Sequence, residues 1–490
     1  MPLAAATLAF LLGRRAAVFL VLPTAISIPA AVSGLIYQVW RFGPRSHEVG
    51  GWGAPLGIEL YADGLSASML MVTAVIMLMA SIYALQITFR GGDQSEGCDS
   101  EFFWPLWLFL WATLNAVFLS RDVFNLYITL ELLVLSAVPL LTLSGSGMAL
   151  TAGMRYLLIA MLSSMFYLLG VSLLYALYST LNIPELGRIM ESTPAAWVAV
   201  VLITAGLLLK TGLFPLHFWL PSAHGNAPAP VSALLSGLVV KASFYLLLRL
   251  WFETFPKALS PAAGQYLGIL GSAAILWGSL LALFQERLKL VIAYSTVAQI
   301  GYFFLLFPLA TFSRASSVGA IERGGEAWLG ATYFIFSHAF AKASMFLAAG
   351  CIARAAGSDR LESMNGIGQY LPVSVFAFAL AGVSLMGLPP SGGFIGKWML
   401  LTAAFGSGQW WWALVMNVGG LLAAGYVLVV VRHAVRFRPV DIRFYAVPRG
   451  MQWAALALAL FSILLGISGP LPLDFLEIGS PFAAFRGSVP

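Results

Sequence analysis

The feature that most constrains this chain is a succession of apolar runs, each about as long as a bilayer is thick. They lie near 16–38, 66–87, 102–119, 124–144, 152–178, 196–220, 228–251, 266–283, 288–310, 327–353, 372–403, 409–431 and 450–468. At ~1.5 Å rise per residue, about twenty residues cover the ~30 Å hydrocarbon core. The first twelve residues are apolar too, but they reach only ~18 Å and are expected not to cross. Only 9% of the residues are charged and 60% are hydrophobic, against about 25% charged in soluble domains. An all-α integral membrane protein of thirteen transmembrane helices is therefore expected. A helix satisfies its own backbone polar groups where no water can. The Arg14–Arg15 pair precedes a run too long for a cleaved signal, so an uncleaved span is expected there.

Orientation follows from the basic loops. The connection 432–449 carries Arg432, Arg436, Arg438, Arg443 and Arg449 and is expected on the cytoplasmic side. Alternation then puts Arg14, Arg15, Arg287 and Lys289 inside and the tail with Asp474 and Glu477 outside. The acidic loop 91–101 disagrees in sign, but acidic residues weigh little in this rule. The net charge of +6 is spread over loops or sits singly inside apolar runs, which argues against a nucleic-acid partner. Cys98 and Cys351 form no disulfide framework, and five histidines without a paired His/Cys/carboxylate cluster argue against metal or haem. No nucleotide, flavin or nucleophile-elbow fingerprint is present, so no cofactor and no redox chemistry are expected in the chain itself.

Two spans are interrupted. "KTGLFPLHF" breaks near Gly212 and Pro215, and "GLPPSGGFIGK" breaks across Gly387, Pro389, Pro390, Gly392 and Gly393. Prolines remove hydrogen-bond donors and glycines loosen the ladder, so neither stretch holds a continuous helix. Broken helices at matching places in two halves point to an ion or substrate path. The expected division is 1–122 as N-terminal peripheral helices, 123–251 and 266–431 as the two halves, and 432–490 as basic loop, last helix and tail.

Charges inside these spans locate the path. Glu131 lies about 10 Å into its helix, Lys210 and Lys241 about 20 Å into theirs, and Lys397 follows the second break. His338 and Lys342 are four apart and share a helix face. One charge facing lipid at a helix centre costs about 2.5–3.5 kcal/mol, so four lysines and a glutamate would cost on the order of 12–17 kcal/mol. They are expected to face one another, backbone carbonyls or water. A carboxylate keeps a desolvated lysine charged, and withdrawing it makes the lysine release its proton. Glu131 and Lys210 are the expected pair, with Lys241, His338, Lys342 and Lys397 continuing the row. Plainer readings stand beside these. Lys397 at its break can snorkel, and His338 can be a packing histidine. His217 and His224, near a span end and in the following loop, are secondary candidates. Asp63 reads as a helix cap and Asp122 with Arg121 as an interface pair.

The stretches "RDVFNLYITLELLVLS", "LLKTGLFPLHFWLPSAHGNAPAPVSALLSGLVVK", "FSHAFAKASMFLAAG" and "GLPPSGGFIGKWML" resemble the antiporter-type subunits shared by complex I, membrane-bound hydrogenases and multisubunit (Mrp-type) cation/proton antiporters. The resemblance runs from about residue 60 to 435. It implies a fold of about fourteen helices, so 13–14 transmembrane helices in all, with two inverted five-helix repeats, each with a broken helix, and a polar axis at mid-membrane. It also implies that Glu131, Lys210, Lys241, His338, Lys342 and Lys397 hold the family's proton-carrying positions. "LYADGLSASML", "FNLYITLELL" and the lysine in "GFIGK" look most like the D-type member of the antiporter, and next the N-type member of complex I. The L-type member carries a long lateral helix after the bundle, and with the short stretch that follows the last span here that member is not the one expected. Compared with the family, the helix before Arg14–Arg15 looks truncated.

The resulting expectation is a proton-translocating subunit of a cation (Na+)/H+ antiporter in a bacterial inner membrane, with other membrane subunits, protons, Na+ and the bilayer as partners. The alternative is a proton-pumping subunit of a complex I-like or hydrogenase-like oxidoreductase whose redox centres lie in other chains. A scaffold with idle charges and an organic-solute carrier are the competing readings from other classes.

Overall fold

The computed structural model describes residues 1–55, 57–90, 97–98, 100–314, 318–436 and 444–483. Arg438 and Arg443 of the basic connection, and most of the acidic loop, lie outside the described residues. Apolar sequence becomes helix almost throughout: α1 (Pro2–Phe42), α2 (Gly64–Arg90), α3 (Phe103–Leu119), α4 (Val123–Thr142), α5 (Gly147–Tyr178) and α6 (Pro194–Thr211). After α7 (Leu220–Asn226) comes α8 (Ala229–Thr254), which carries π-helical turns at Leu235–Val239 and Leu250–Thr254. Then follow α9 (Pro261–Leu283), α10 (Leu288–Phe304), α11 (Leu306–Arg314) and α12 (Val318–Ala356). The last are α13 (Pro372–Met386), α14 (Gly392–Gly406), α15 (Trp410–Val435), α16 (Arg449–Ile467) and α17 (Leu471–Glu477). Eleven helices among the described residues are long and apolar enough to cross a membrane, and α3 and α13 are shorter apolar ones.

The two interruptions read from the sequence fall at helix ends, and the N-terminal stretch differs from its expectation. The run 372–403 is two helices, because Gly387 ends α13 in a left-handed conformation (φ 80°) that a side chain disfavours. The run 196–220 ends at Thr211 for the same reason, at Gly212 (φ 72°). The first twelve residues are helical and continuous with the next span except at Gly13, with Ala5, Ala6 and Ala9 buried against neighbours. A short hairpin, β1 (Arg45–Glu48) with β2 (Glu59–Ala62), lies between α1 and α2 and was not read from the sequence.

The two breaks share a closure. Leu213 N–H donates to Leu208 O at 3.3 Å and Leu388 N–H to Val383 O at 3.1 Å, the wrap-around bond of a Schellman motif in each case. Each break also contains a cis prolyl bond, Phe214–Pro215 and Pro389–Pro390. In chain order, with α10 and α11 taken as the one apolar span Leu288–Thr311, three helices, a broken helix and a further helix occur twice: α3, α4, α5, α6/α7, α8, and then α9, α10/α11, α12, α13/α14, α15.

The interior is built on α8, α10 and α12. The central stretches of α8 and α12 are wholly buried and that of α10 nearly so, whereas α1 and α15 are mostly exposed. α12 packs against α8, α10, α13, α14 and α16. Close packing around the second break makes Gly393 intolerant. A Cβ there would stand 2.0 Å from Ser384 O, a backbone atom that cannot swing away. Gly393→Ala is expected to cost about 1–3 kcal/mol or more by overpacking. Detergent-extracted yield and melting temperature should both fall.

Candidate functional site

The first group joins α4, α5 and α6. Lys210 Nζ lies 3.2 Å from Glu131 Oε1 and donates to Ser164 Oγ at 2.8 Å, and the Ser164 hydroxyl donates to Glu131 Oε1. Lys210 is buried, and Glu131 keeps 29% of its side chain exposed. Lys210 sits in the last turn of α6, at the carbonyl end where a cation is favoured. Ser164 was not read from the sequence. Its signal is the pair Ser163–Ser164 inside an otherwise apolar helix, of which Ser163 spends its hydroxyl on Gly206 O at 2.7 Å.

The second group joins α8, α10 and α12. The Lys241 ammonium donates to Ser236 O, a carbonyl within the first π-helical turn of α8, where the regular ladder is interrupted. Ser236 Oγ pairs with Thr296 Oγ1 at 2.8 Å, and Thr296 in turn donates to Ile292 O at 2.9 Å. Lys342 Nζ donates to that same Ile292 carbonyl at 3.0 Å and to Ser295 Oγ at 2.5 Å. Two buried lysines on separate helices are thus linked through one turn of α10. Deeper along α10, Gln299 donates to the Tyr426 hydroxyl at 3.2 Å.

Lys397 forms the third group. Its Nζ donates to Leu385 O in the last turn of α13 at 2.6 Å and lies 4.1 Å from the Tyr302 ring centroid and 5.3 Å from that of Phe334. His338 stands between this group and the second. Its ring meets Phe303 edge-on at 5.3 Å and Phe334 at 6.0 Å, and it lies in electrostatic range of Lys241, Lys342 and Lys397. Both its ring nitrogens are buried without a hydrogen-bond partner.

The structure therefore brings Glu131 to Lys210 directly and Lys241 to Lys342 by way of Ser236, Thr296 and the Ile292 carbonyl, while Lys397 rests on the carbonyl end of the neighbouring helix α13. His217 stacks on Phe214 in the first break, and His224 lies fully buried between the rings of Trp219 and Phe346, in electrostatic range of Lys241 and Lys342. Among the described residues no group of three or more His, Cys, Asp or Glu side chains is placed to hold a metal ion.

One smaller reading changes and another holds with an addition. Arg121 pairs with Glu59 at 3.3 Å and lies over the Tyr61 ring at 3.5 Å, while Asp122 caps α4 by accepting from Asn125 N at 2.7 Å. They are not partners, because the hairpin, unseen in the sequence, supplies Glu59. Burial pushes the Tyr61 hydroxyl up to about 12, so it stays protonated. Asp63 does cap α2, accepting from Ser66 N at 2.9 Å, and also binds Arg249.

Residues 120–423 match the family described as NADH:quinone oxidoreductase/Mrp antiporter, transmembrane. The chain belongs to this family. The N subunit of NADH-quinone oxidoreductase from Desulforudis audaxviator is 35% identical, over 88% of this chain and 84% of its own. The D subunit of the Na(+)/H(+) antiporter from Bacillus subtilis is 28% identical, over 95% of this chain and 92% of its own. Among solved structures, a chain of the Mrp complex from Dietzia sp. DQ12-45-1b has the same fold, with a TM-score of 0.87 at 24% identity over 99% of this chain and 97% of that one. A chain of the archaeal membrane-bound sulfane sulfur reductase superposes with a TM-score of 0.88 at 25% identity, again over 99% and 97%. Fold and family thus agree with the resemblance seen in the motifs, and this family member is a multi-pass membrane protein of the proton-translocating antiporter type.

Proposed function

We propose that this chain carries protons along the row Glu131, Lys210, Lys241, His338, Lys342 and Lys397 as one subunit of a multisubunit membrane assembly. The single observation that supports this most is the link from Lys241 through Ser236, Thr296 and Ile292 O to Lys342. Buried lysines held by carbonyls and hydroxyls rather than by carboxylates are poised to exist neutral or charged, which a proton carrier must do. A scaffold gains nothing from them, since apolar replacements serve packing as well or better. Protonation of one lysine disfavours it on the next, so charge moves by displacement between groups. We read the repeated order of elements around the two breaks as two related halves with the row along their junction.

The motifs favour the D-type member of a cation (Na+)/H+ antiporter in a bacterial inner membrane. The second reading, a proton-pumping member of a complex I-like oxidoreductase, draws on the identity to the N subunit from Desulforudis audaxviator. One experiment divides them. The purified assembly is reconstituted with a pH dye inside the vesicles and given either a Na+ pulse or NADH with quinone. Proton movement on the Na+ pulse alone supports the antiporter, movement only with the redox pair supports the second reading, and movement with neither removes both.

A further inference from the structure

Eight residues along α8 from Lys241, toward its Thr254 end, a second buried charge cluster stands apart from the row. Arg249 is 6% exposed and Asp63 1%. The guanidinium uses all five of its N–H donors. Nη1 donates to Asp63 Oδ2 at 2.6 Å and Glu253 Oε1 at 2.7 Å. Nη2 donates to Asp63 Oδ1 at 2.6 Å and Ser66 Oγ at 2.8 Å, and Nε to the Tyr245 hydroxyl at 3.0 Å. Asp63 accepts in addition from Ser66 N, and the Tyr245 hydroxyl donates to Phe118 O at 2.9 Å. Lys241, Tyr245 and Arg249 recur at every fourth residue of α8, ~6 Å apart along one face. Glu253, four further on, keeps 19% of its side chain exposed.

A polar stripe from the membrane centre to a rim is either a conduit or a stopper. A conduit needs groups that take up and give back protons. Arginine keeps its proton in proteins. Both Asp63 oxygens are occupied by N–H donors, and the Tyr245 hydroxyl, which also meets Ser66 Oγ at 3.0 Å, is held between the Arg249 guanidinium and the Phe118 carbonyl. Resting on the proton-translocating reading above, we propose that the Arg249–Asp63 knot insulates Lys241 from the nearer membrane face, so that its proton leaves only sideways toward Lys342. Stability alone is a weak reason for such a pair, because well-packed apolar residues often replace a buried ion pair at no loss. Insulation is a reason specific to a chain that must hold a proton two helical turns from the rim without leaking it.

The test uses the intact assembly in vesicles with an entrapped pH dye, where a potassium diffusion potential drives passive proton entry. Arg249→Gln leaves Asp63 as a buried, titratable carboxylate beside Tyr245 and should raise passive proton conductance about tenfold. A unit charge ~12 Å away at an effective dielectric near 20 is worth about that factor. Asp63→Asn combined with Arg249→Gln removes the buried carboxylate nearest Lys241 and leaves only the partly exposed Glu253 of the arginine's two acidic partners, while asparagine keeps the helix cap, and conductance should return to within about twofold of the parent. If Arg249→Gln assembles and leaks no more than the parent, or if single and double variants leak alike, the insulation idea is overturned while the proton-carrying reading survives. If Arg249→Gln does not assemble, Arg249→Lys, which keeps a cation but one able to deprotonate, should leak about threefold more, and no increase overturns the idea. A parent whose turnover is indifferent to Lys241→Ala removes both readings together.

Discussion

Lys241→Ala should lower proton translocation by the assembled complex about a hundredfold while leaving assembly nearly intact. Lys241 bonds a backbone carbonyl within its own helix and no carboxylate, so removing it strands no buried opposite charge. Transport is another matter. Without the ammonium, the row loses the lysine between Lys210 on one side and the Ile292–Lys342 turn on the other. The hydroxyls of Ser236 and Thr296 between α8 and α10 cannot hold the charge in its place. A barrier raised by about 2.7 kcal/mol is a hundredfold in rate, a modest figure for forcing charge through such a gap. Lys241→Arg sharpens the test, since it keeps the cation, the length and the bond to Ser236 O but cannot release its proton. Equal loss in both variants, read as the initial rate of dye-reported acidification at matched protein levels, is the expected result. Activity retained by the arginine variant would mean that position 241 contributes only fixed charge.

The parts of this arrangement legible in the sequence are those with a large transfer cost. Glu131, Lys210, Lys241, Lys342 and Lys397 stand out because a charge inside an apolar run has no cheap explanation, and the breaks stand out because Gly and Pro cannot hold a helix. The connecting groups are silent for the opposite reason. Ser164, Ser236, Ser295 and Thr296 are hydroxyls in apolar helices, where such residues commonly bond back to their own turn at little cost, as Ser136 and Thr129 do here. Only the neighbouring helix decides that Ser164 joins Glu131 to Lys210 while Ser163 holds Gly206 O. The π-helical turn that presents Ser236 O to Lys241 has no composition of its own. Arg249 was hidden by position, since a basic residue near a helix end ordinarily snorkels. Its partner Asp63 looked complete as a cap, and nothing in the local sequence reveals a second role 186 residues away.

Glu131→Gln should show the reverse balance to Lys241→Ala, with assembly suffering as well as transport. Lys210 is buried and its carboxylate partner is the one charge that offsets it, at 3.2 Å. Removing one member of a buried ion pair typically costs about 3–5 kcal/mol; because Glu131 is partly exposed, the lower end applies. That is enough to reduce the yield of extracted complex several-fold. Lys210→Met together with Glu131→Gln leaves no uncompensated charge, and methionine fills the channel left by the lysine stem. The double variant is therefore expected to recover yield and melting temperature toward the parent while translocation remains near background. The dissociation is what matters. If the pair were only structural, restoring assembly would restore transport in step, whereas a working pair is silent in the repaired complex however well it folds. Ser164 predicts the remaining detail. Its hydroxyl contacts both partners, so in the double variant Ser164→Ala should change neither yield nor rate, whereas in the parent it should slow translocation about fivefold, the worth of one hydrogen bond of about 1 kcal/mol.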